Sequence, residues 1–123
     1  MKKSSLLAVP LLMLAAIGQT QTGGTFPVSS VPATAPELNA YLSGKSFHAV
    51  YANGTRVQSK YSVDGSLAAS APGFYDTGKW RTEEGKLCGS LRKSGEFCND
   101  ARFDAGVLYL RRMNGEIVRY EAE

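Results

Sequence analysis

The single histidine of the chain, His48, is a candidate for proton transfer. If Asn53-Gly54 forms a two-residue hairpin loop, His48 faces Ser59, and Tyr61 lies on the same inward side of the sheet. A histidine beside a serine is a potential acid–base pair. The sequence offers no identifiable carboxylate to orient the imidazole, so a hydrogen-bonded histidine in the core is the competing interpretation.

Two arginines near the end of the chain, Arg112 and Arg119, are candidates for binding an anion. Pairing across Asn114-Gly115 places both on one face of the last hairpin, and neither face of that hairpin is cleanly polar. An arginine beside aromatic side chains inside a barrel can hold a carboxylate or phosphate through bidentate hydrogen bonds. The alternative is that the arginine stems cover apolar surface while their charged ends remain in water. Together the candidate ligand contacts are His48, Tyr61, Arg112 and Arg119.

Motifs of the common enzyme classes are missing from the sequence. It contains no nucleophile elbow, no phosphate-binding glycine loop and no His-Glu-x-x-His pair. Asn99, Asp100 and Asp104 lack the spacing of a calcium-binding loop and are expected to shape turns. The sequence therefore predicts no catalytic residue, no cofactor and no metal, and an enzyme is kept only as a third functional alternative.

Cys88 and Cys98 are the only cysteines of the chain. In an exported protein they meet an oxidising compartment, which favours one disulfide over free thiols. Closing a loop of about 11 residues stabilises a fold by roughly 2.5 to 3 kcal/mol on the chain-entropy argument. A zinc site needs further ligands, and the only histidine lies far away in the sequence.

The first residues of the chain predict export. A basic start, MKK, precedes an uncharged apolar run over residues 6–17, which is shorter than the ~20 residues that span a bilayer. Residues 1–18 are interpreted as a signal peptide cut after Gly18, with Ala15 or Ala16 as nearby alternatives. A retained N-terminal anchor helix is the competing interpretation. The expected location is periplasmic or secreted, with no integral membrane segment after cleavage.

The charge balance argues against nucleic acid as a partner. The chain has 14 Lys and Arg against 11 Asp and Glu, a formal net charge of +3. Removal of the two lysines in the signal peptide lowers that value to +1. A nearly neutral domain has no electrostatic means of attracting DNA or an anionic membrane.

The remaining chain divides into a linker and one small domain. Residues 19–36 carry no charge and consist mostly of Thr, Ser, Gly, Pro and Ala, which predicts a flexible linker. A short helix is expected to begin at Pro36, because Leu38 and Leu42 share one face and Gly44 suits its exit. The globular domain is therefore placed at residues 37–123.

Turn dipeptides at short intervals predict a mainly β domain. Two-residue loops leave no length for helical crossovers, so the strands form an antiparallel up-and-down meander, either a barrel or a strongly coiled sheet, with the short helix closing one end. Across the Glu84-Gly85 loop, Trp80 lies opposite Gly89 and serves as a core anchor. The eight predicted strands cover residues 46–52, 55–63, 66–71, 79–83, 86–92, 97–103, 107–113 and 116–121.

Aromatic side chains are numerous for a domain of this size. A barrel uses most of them to fill its interior, and any that are exposed together mark a contact surface. Phe74 and Tyr75 directly follow the predicted turn at Pro72-Gly73 and are the candidate protein contacts.

The stretch from Gly78-Lys79-Trp80 through Glu84-Gly85-Lys86-Leu87-Cys88 to Cys98 and Asn114-Gly115 carries a resemblance. It resembles the G-x-W...G-x-L-C...C...G pattern of uncharacterised small secreted bacterial β-domains and covers residues 78–121. Gly-x-Trp is also similar to the start of the first strand in lipocalin-type barrels, although here it falls in the middle of the chain. The resemblance implies the β fold, export and the bridge between the two cysteines, and it brings no catalytic residues.

The sequence thus predicts an exported binding protein without catalysis of its own. One hypothesis is a small-ligand carrier or sensor. The other is a protein-binding module, such as a secreted inhibitor of a cell-envelope hydrolase. The expected partner is accordingly an unidentified small molecule or an exported protein.

Overall fold

The computed structural model of the protein describes residues 24–123, which form a ten-stranded antiparallel sheet and one helix. The predicted signal peptide (1–18) and residues 19–23 of the predicted linker lie outside the described residues. The helix, α1, spans Ala35–Leu42. The strands are β1 (Val31–Pro32), β2 (Lys45–Val50), β3 (Arg56–Tyr61), β4 (Ser66–Ala71), β5 (Phe74–Glu83), β6 (Lys86–Leu91), β7 (Gly95–Asp104), β8 (Val107–Arg111), β9 (Ile117–Arg119) and β10 (Glu121–Ala122).

The strands form a nearly closed barrel in the order β10-β2-β3-β4-β5-β6-β7-β8-β9. From β2 through β9, each strand pairs with the next in antiparallel orientation, and a short turn connects the two. β10 pairs with β2, so the end of the chain returns to the first strand of the meander. The predicted antiparallel meander with one N-terminal helix is confirmed. The last predicted strand, 116–121, is divided at Tyr120 into β9 and β10.

Successive turns of the meander alternate between the two ends of the barrel. The turns that follow β3, β5 and β7 lie at one end, which α1 covers. There the N–H of Ala35 donates to a carboxylate oxygen of Glu84 at 3.1 Å, and the N–H of Gly44 donates to the carbonyl of Tyr61. The turns that follow β2, β4, β6 and β8 lie at the opposite end, which we call the open end.

The start of α1 is set by a capping box. The Thr34 hydroxyl accepts a hydrogen bond from the N–H of Glu37, and the Glu37 carboxylate accepts one from the N–H of Thr34. Pro36 lies in the first turn, where its missing N–H costs nothing. Leu38 and Leu42 are fully buried, as their spacing predicted. The helix therefore begins one residue before its predicted start and closes the core.

A short N-terminal strand, β1, pairs with the last part of β7, beyond the residues of β7 that pair with β6. Val31 pairs with Phe103, and the N–H of Ala33 donates to the carbonyl of Ala101. Ser30 and Ala33 are buried. The part of the predicted linker that follows Ser30 is thus packed on the domain. Its polar composition carries no periodicity that reveals a pairing of only two residues.

Three turns containing Asn-Gly or Asp-Gly form three-residue loops. In the β2–β3 turn the N–H of Gly54 donates to the carbonyl of Tyr51, and the N–H of Thr55 donates to the side chain of Asn53. The same two hydrogen bonds recur in the turns around Asp64-Gly65 and Asn114-Gly115. Such loops combine a tight turn with a glycine in the left-handed region of backbone conformation. Gly54, for example, has a φ of 87°.

The longer β2–β3 loop shifts the predicted pairing by one residue. Val50 lies opposite Arg56, and His48 lies opposite Gln58. A shift of one residue exchanges the two faces of a strand. Phe47 therefore points into the barrel and is buried, whereas His48, predicted to be inside, lies on the outer face.

The last hairpin shows the same shift. Leu110 lies opposite Val118, and Tyr109 lies opposite Arg119. Leu110 and Val118 are buried inside the barrel, and Tyr120 lines the same interior. Arg119 is therefore on the outer face, and the structure assigns the inside and outside that the sequence left open.

The predicted pairing of Trp80 with Gly89 is confirmed. The Trp80 ring is buried, and its indole N–H donates to the carbonyl of Ser62 at 3.0 Å. A Cβ atom on Gly89 would lie 2.3 Å from the carbonyl oxygen of Lys79 and 2.9 Å from the Phe97 ring. Glycine is therefore required where these groups approach the strand.

The predicted disulfide between Cys88 and Cys98 is confirmed. The two residues face each other across β6 and β7, with Cα atoms 4.0 Å apart, and Cys88 is completely buried. A carboxylate oxygen of Glu83 lies near both sulfurs, but no free thiol is found among residues 24–123. The bridge ties together the neighbouring strands β6 and β7.

Candidate ligand cavity

A cavity of about 700 Å³ lies inside the barrel and opens at the open end. Its volume falls within the roughly 300–1,000 Å³ of small-molecule sites in proteins. The walls are formed by inward residues of the strands, and the rim is formed by the turns that follow β2, β4, β6 and β8. The apolar wall residues are Val57, Leu67, Ala69, Leu91, Phe97, Leu110 and Val118.

Two tyrosines, Tyr61 and Tyr120, bring hydroxyl groups to the cavity wall and hydrogen-bond to each other. The Tyr61 ring lies edge-on to Trp80 at a centroid distance of 5.4 Å, which fixes its position. Burial raises the pKa of Tyr61 well above its ordinary value, and burial also raises the pKa of Tyr120. Both phenols stay protonated. One O–H is used within the pair, so the second O–H is available to the nearby Ser59 hydroxyl or to a ligand.

An arginine of the cavity wall, Arg112, already has partners on two sides. Its guanidinium lies 3.6 Å from the ring centroid of Tyr51, and one of its nitrogens lies 2.6 Å from a carboxylate oxygen of Glu116. Glu116 is itself buried and accepts a hydrogen bond from the N–H of Ala52. The charge of Arg112 is therefore balanced inside the protein before any ligand enters.

A side-chain amide, that of Asn99, also faces the cavity. Asn99 lies opposite Leu87 on β7, on the inward side of the strand. Its Oδ1 atom is buried and accepts no hydrogen bond from the described residues. Buried polar atoms without a partner are uncommon in folded proteins, so this oxygen is a specific feature of the cavity.

The rim of the cavity exposes apolar side chains. Phe74 is 41% exposed and Met113 is 71% exposed, and both belong to the cavity lining. Tyr75, the next residue after Phe74, is 58% exposed and points to the outer face of β5. The two predicted protein contacts, Phe74 and Tyr75, are thus both accessible at the open end.

An aspartate that sequence reasoning missed, Asp76, holds the β6–β7 turn over the open end. Its carboxylate accepts hydrogen bonds from the N–H of Lys93 and from the N–H and hydroxyl of Ser94. Burial acts to raise the pKa of Asp76, but these hydrogen bonds hold it below its ordinary value of 3.8. The sequence contained one signal for this role: Asp76 and Trp80 are four positions apart in β5, so both lie on the inward face of that strand.

The structure brings two of the four predicted ligand contacts to the cavity. Tyr61 and Arg112 line it. His48 lies outside the barrel, where its Nδ1 atom is hydrogen-bonded to Glu123. Arg119 also lies outside, and its Nε atom is 2.8 Å from a carboxylate oxygen of Glu121. The one-residue shifts in the two hairpins moved both residues away from the interior.

The acid–base pair of His48 and Ser59, one of the two alternatives for His48, is not formed. Ser59 points inward and is buried, while His48 is on the outer face of the neighbouring strand. The carboxylate that partners His48 is Glu123, which reaches it because β10 pairs with β2. That partner lies 75 positions away in the sequence, so no local spacing pointed to it.

The chain has no significant match among protein-family models, curated proteins or solved structures. The resemblance to small secreted bacterial β-domains therefore stays a prediction. Among residues 24–123, no helix is long and apolar enough to cross a membrane.

Proposed function

We propose that the protein is a non-catalytic binding protein that holds a small molecule inside its barrel, as a carrier or sensor. The observation that carries this proposal is the cavity of about 700 Å³ with apolar walls and few polar groups. Binding sites for small molecules have this composition, because apolar contact supplies affinity and a few polar groups fix orientation. The polar groups at the cavity include phenols, aliphatic hydroxyls, amides, an ion-paired arginine and a carboxylate at the rim, a set suited to holding a molecule.

The proposal includes action in the periplasm or outside the cell. It is supported by the Cys88–Cys98 disulfide, since such bridges persist in oxidising compartments. The basic and apolar start of the sequence supports the same location. The barrel would then bind its ligand in a compartment where no reducing system opens the bridge.

A cavity-filling variant tests ligand binding. Ala69 points into the cavity, so Ala69→Phe places a ring in the space that a ligand needs. Ala68, its neighbour, lies on the outer face of the same strand and provides a matched control as Ala68→Phe. The probe is N-phenylnaphthylamine, an uncharged dye whose fluorescence rises in apolar surroundings.

The wild-type protein and Ala68→Phe are expected to enhance the dye fluorescence with the same affinity. Ala69→Phe is expected to lose this binding by at least about tenfold while keeping its β-sheet circular dichroism. Lack of dye binding by the wild type, or equal binding by both alanine variants, would contradict the proposal.

The second candidate function is protein binding at the open end, as a module such as a secreted inhibitor of a cell-envelope hydrolase. It is favoured by the exposure of Phe74, Tyr75 and Met113 around the same opening. Exposed aromatic residues of this kind are enriched at protein interfaces. Phe74→Ser with Tyr75→Ser is expected to abolish coprecipitation of a specific exported protein. Tyr75→Ser alone, on the outer face of β5, should leave dye binding unchanged. Retention of that partner by the double variant would exclude the rim as the interface.

A further inference from the structure

We propose that the cavity selects an uncharged, mainly apolar ligand that carries a hydroxyl or amide group, and that the side-chain amide of Asn99 binds this group. The inference rests on the proposed function, because it names the class of ligand for the same cavity. It follows from three features: the unpartnered oxygen of Asn99, the balanced charge of Arg112 and the apolar walls.

Asn99 is a polar residue of the cavity wall that lies beside Arg112. Asp100 lies opposite Arg111 in the pairing of β7 with β8. The adjacent positions, Asn99 and Arg112, both point inward and are therefore neighbours on the inner surface. Arg112 directs its nitrogen to Glu116 and leaves the Asn99 oxygen without a donor. A ligand N–H or O–H that reaches this oxygen relieves the cost of an unpaired buried acceptor.

The ligand group that fits an amide is one with both a donor and an acceptor. Asn99 offers a carbonyl oxygen and an NH₂ group, so a hydroxyl or an amide can complement it in either orientation of the side chain. An ether or ester has no hydrogen to donate and leaves the carbonyl unpaired. Binding sites built to hydrogen-bond a ligand group discriminate strongly against analogues that lack it.

The charges around the cavity disfavour an anion. Within residues 24–123, Arg112 is the only cationic side chain that lines the cavity, and Glu116 neutralises it at 2.6 Å. Tyr51 lies against one face of the guanidinium and Glu116 takes one of its nitrogens, so a carboxylate meets a cation that is already neutralised. The exposed Glu96 at the rim adds a negative charge. An anionic ligand would lose its hydration and meet no unpaired cation.

Three probes with the same apolar chain separate these requirements. Decanol can donate and accept a hydrogen bond, decyl methyl ether can only accept one, and decanoate is anionic near neutral pH. Their affinities are measured by displacement of N-phenylnaphthylamine from the wild-type protein. Decanol is expected to bind roughly tenfold more tightly than either analogue, the usual size of one unsatisfied buried polar group.

Asn99→Leu replaces the amide by an apolar side chain of similar size. We expect this variant to bind decanol roughly tenfold more weakly and to bind the ether as the wild type does. Asn39→Leu, on the exposed side of α1, is the matched control and should keep the decanol preference.

The outcomes distinguish this inference from the function on which it rests. Binding of decanol and the ether with equal affinity, tighter binding of decanoate, or an unchanged preference in Asn99→Leu would overturn the role of Asn99 while cavity binding stands. Failure of the wild type to bind any of the probes or the dye would overturn the proposed function itself. The comparison of the three probes uses the wild-type protein alone, so the preference for an uncharged hydrogen-bond donor is tested even if Asn99→Leu does not fold.

Discussion

The hydroxyl of Tyr61 at the end of β3 is hydrogen-bonded to the hydroxyl of Tyr120, the residue between β9 and β10. The two residues are 59 positions apart in the sequence, so this contact forms only when the barrel closes. The pair lies on the cavity wall and links β3 to the segment between β9 and β10. It therefore contributes both to closure and to the polarity of the cavity.

Removing both hydroxyls of this pair should destabilise the protein by less than the sum of the two single removals. Tyr61→Phe leaves the Tyr120 hydroxyl without its partner, and Tyr120→Phe does the same to Tyr61. Each single change is expected to lower the free energy of unfolding by about 1 to 2 kcal/mol. The double variant should lose less than the sum of the single effects. Urea denaturation of the three variants measures this coupling, and additive losses would show that the two hydroxyls act independently.

The Asp76 carboxylate should be necessary for the order of the β6–β7 turn. Asp76→Ala leaves the N–H groups of Lys93 and Ser94 without their acceptor, so the melting temperature should fall and amide hydrogen exchange should accelerate in this turn. Asp104, a partly exposed carboxylate that accepts a hydrogen bond from Ser29, supplies the control variant Asp104→Ala. A loss of stability no larger than that of the control would contradict the role of Asp76 as an anchor.

The seam between β10 and β2 should weaken in acid. A hydrogen bond from His48 and a second from Arg56 hold the pKa of Glu123 below its ordinary value of 4.5. A carboxyl group with a lowered pKa in the folded state stabilises that state above the unfolded pKa, and this contribution is lost as the pH falls through the folded pKa. The melting temperature should therefore drop below about pH 4.5, and part of this drop should be absent in Glu123→Gln. Identical acid profiles for the two proteins would exclude a contribution of Glu123.

Opening the Cys88–Cys98 disulfide should lower the stability of the folded domain. The closed loop spans 10 positions, for which the chain-entropy argument gives roughly 2.5 to 3 kcal/mol. Chemical denaturation with and without reductant measures the effect. The double variant Cys88→Ala with Cys98→Ala should be insensitive to reductant, and an unchanged wild-type transition under reductant would contradict the prediction.

The fold was predictable because turn chemistry and alternation agree along most of the chain. The Glu84-Gly85 loop contains two residues, and the register of Trp80 against Gly89 follows directly from it. Asn53-Gly54 is compatible with loops of two or three residues, and the side chain of Asn53 selects the longer one by accepting a hydrogen bond from Thr55. One extra residue is enough to exchange the faces of β2.

The composition of β2 and β3 contained a clue to the correct register. Val57 and Tyr61 alternate with polar residues, so their side of β3 must be the inner one. Opposite them, Phe47 contributes a larger apolar surface than His48. Matching the most apolar faces of the two strands favours the observed pairing over the predicted one.

The polar groups of the cavity were less accessible to sequence reasoning. Arg112 and Tyr61 were named as candidates, but their partners Glu116 and Tyr120 depend on closure of the barrel. Asn99 falls within the predicted strand 97–103 and lies in β7, but the sequence did not identify it as an inward polar residue. An unpaired oxygen is a property of the packed interior, and no residue pattern along the chain reports it.

The position of a bound probe in the barrel tests the central claim most directly. Nuclear Overhauser effects between the aromatic protons of N-phenylnaphthylamine and methyl groups of the protein locate the dye without any mutation. The account predicts contacts to Val57, Leu110 and Val118 on the cavity wall. Contacts confined to exposed residues outside the barrel, such as Val50 and Val63, or no contacts at saturating dye, would contradict a ligand-binding interior.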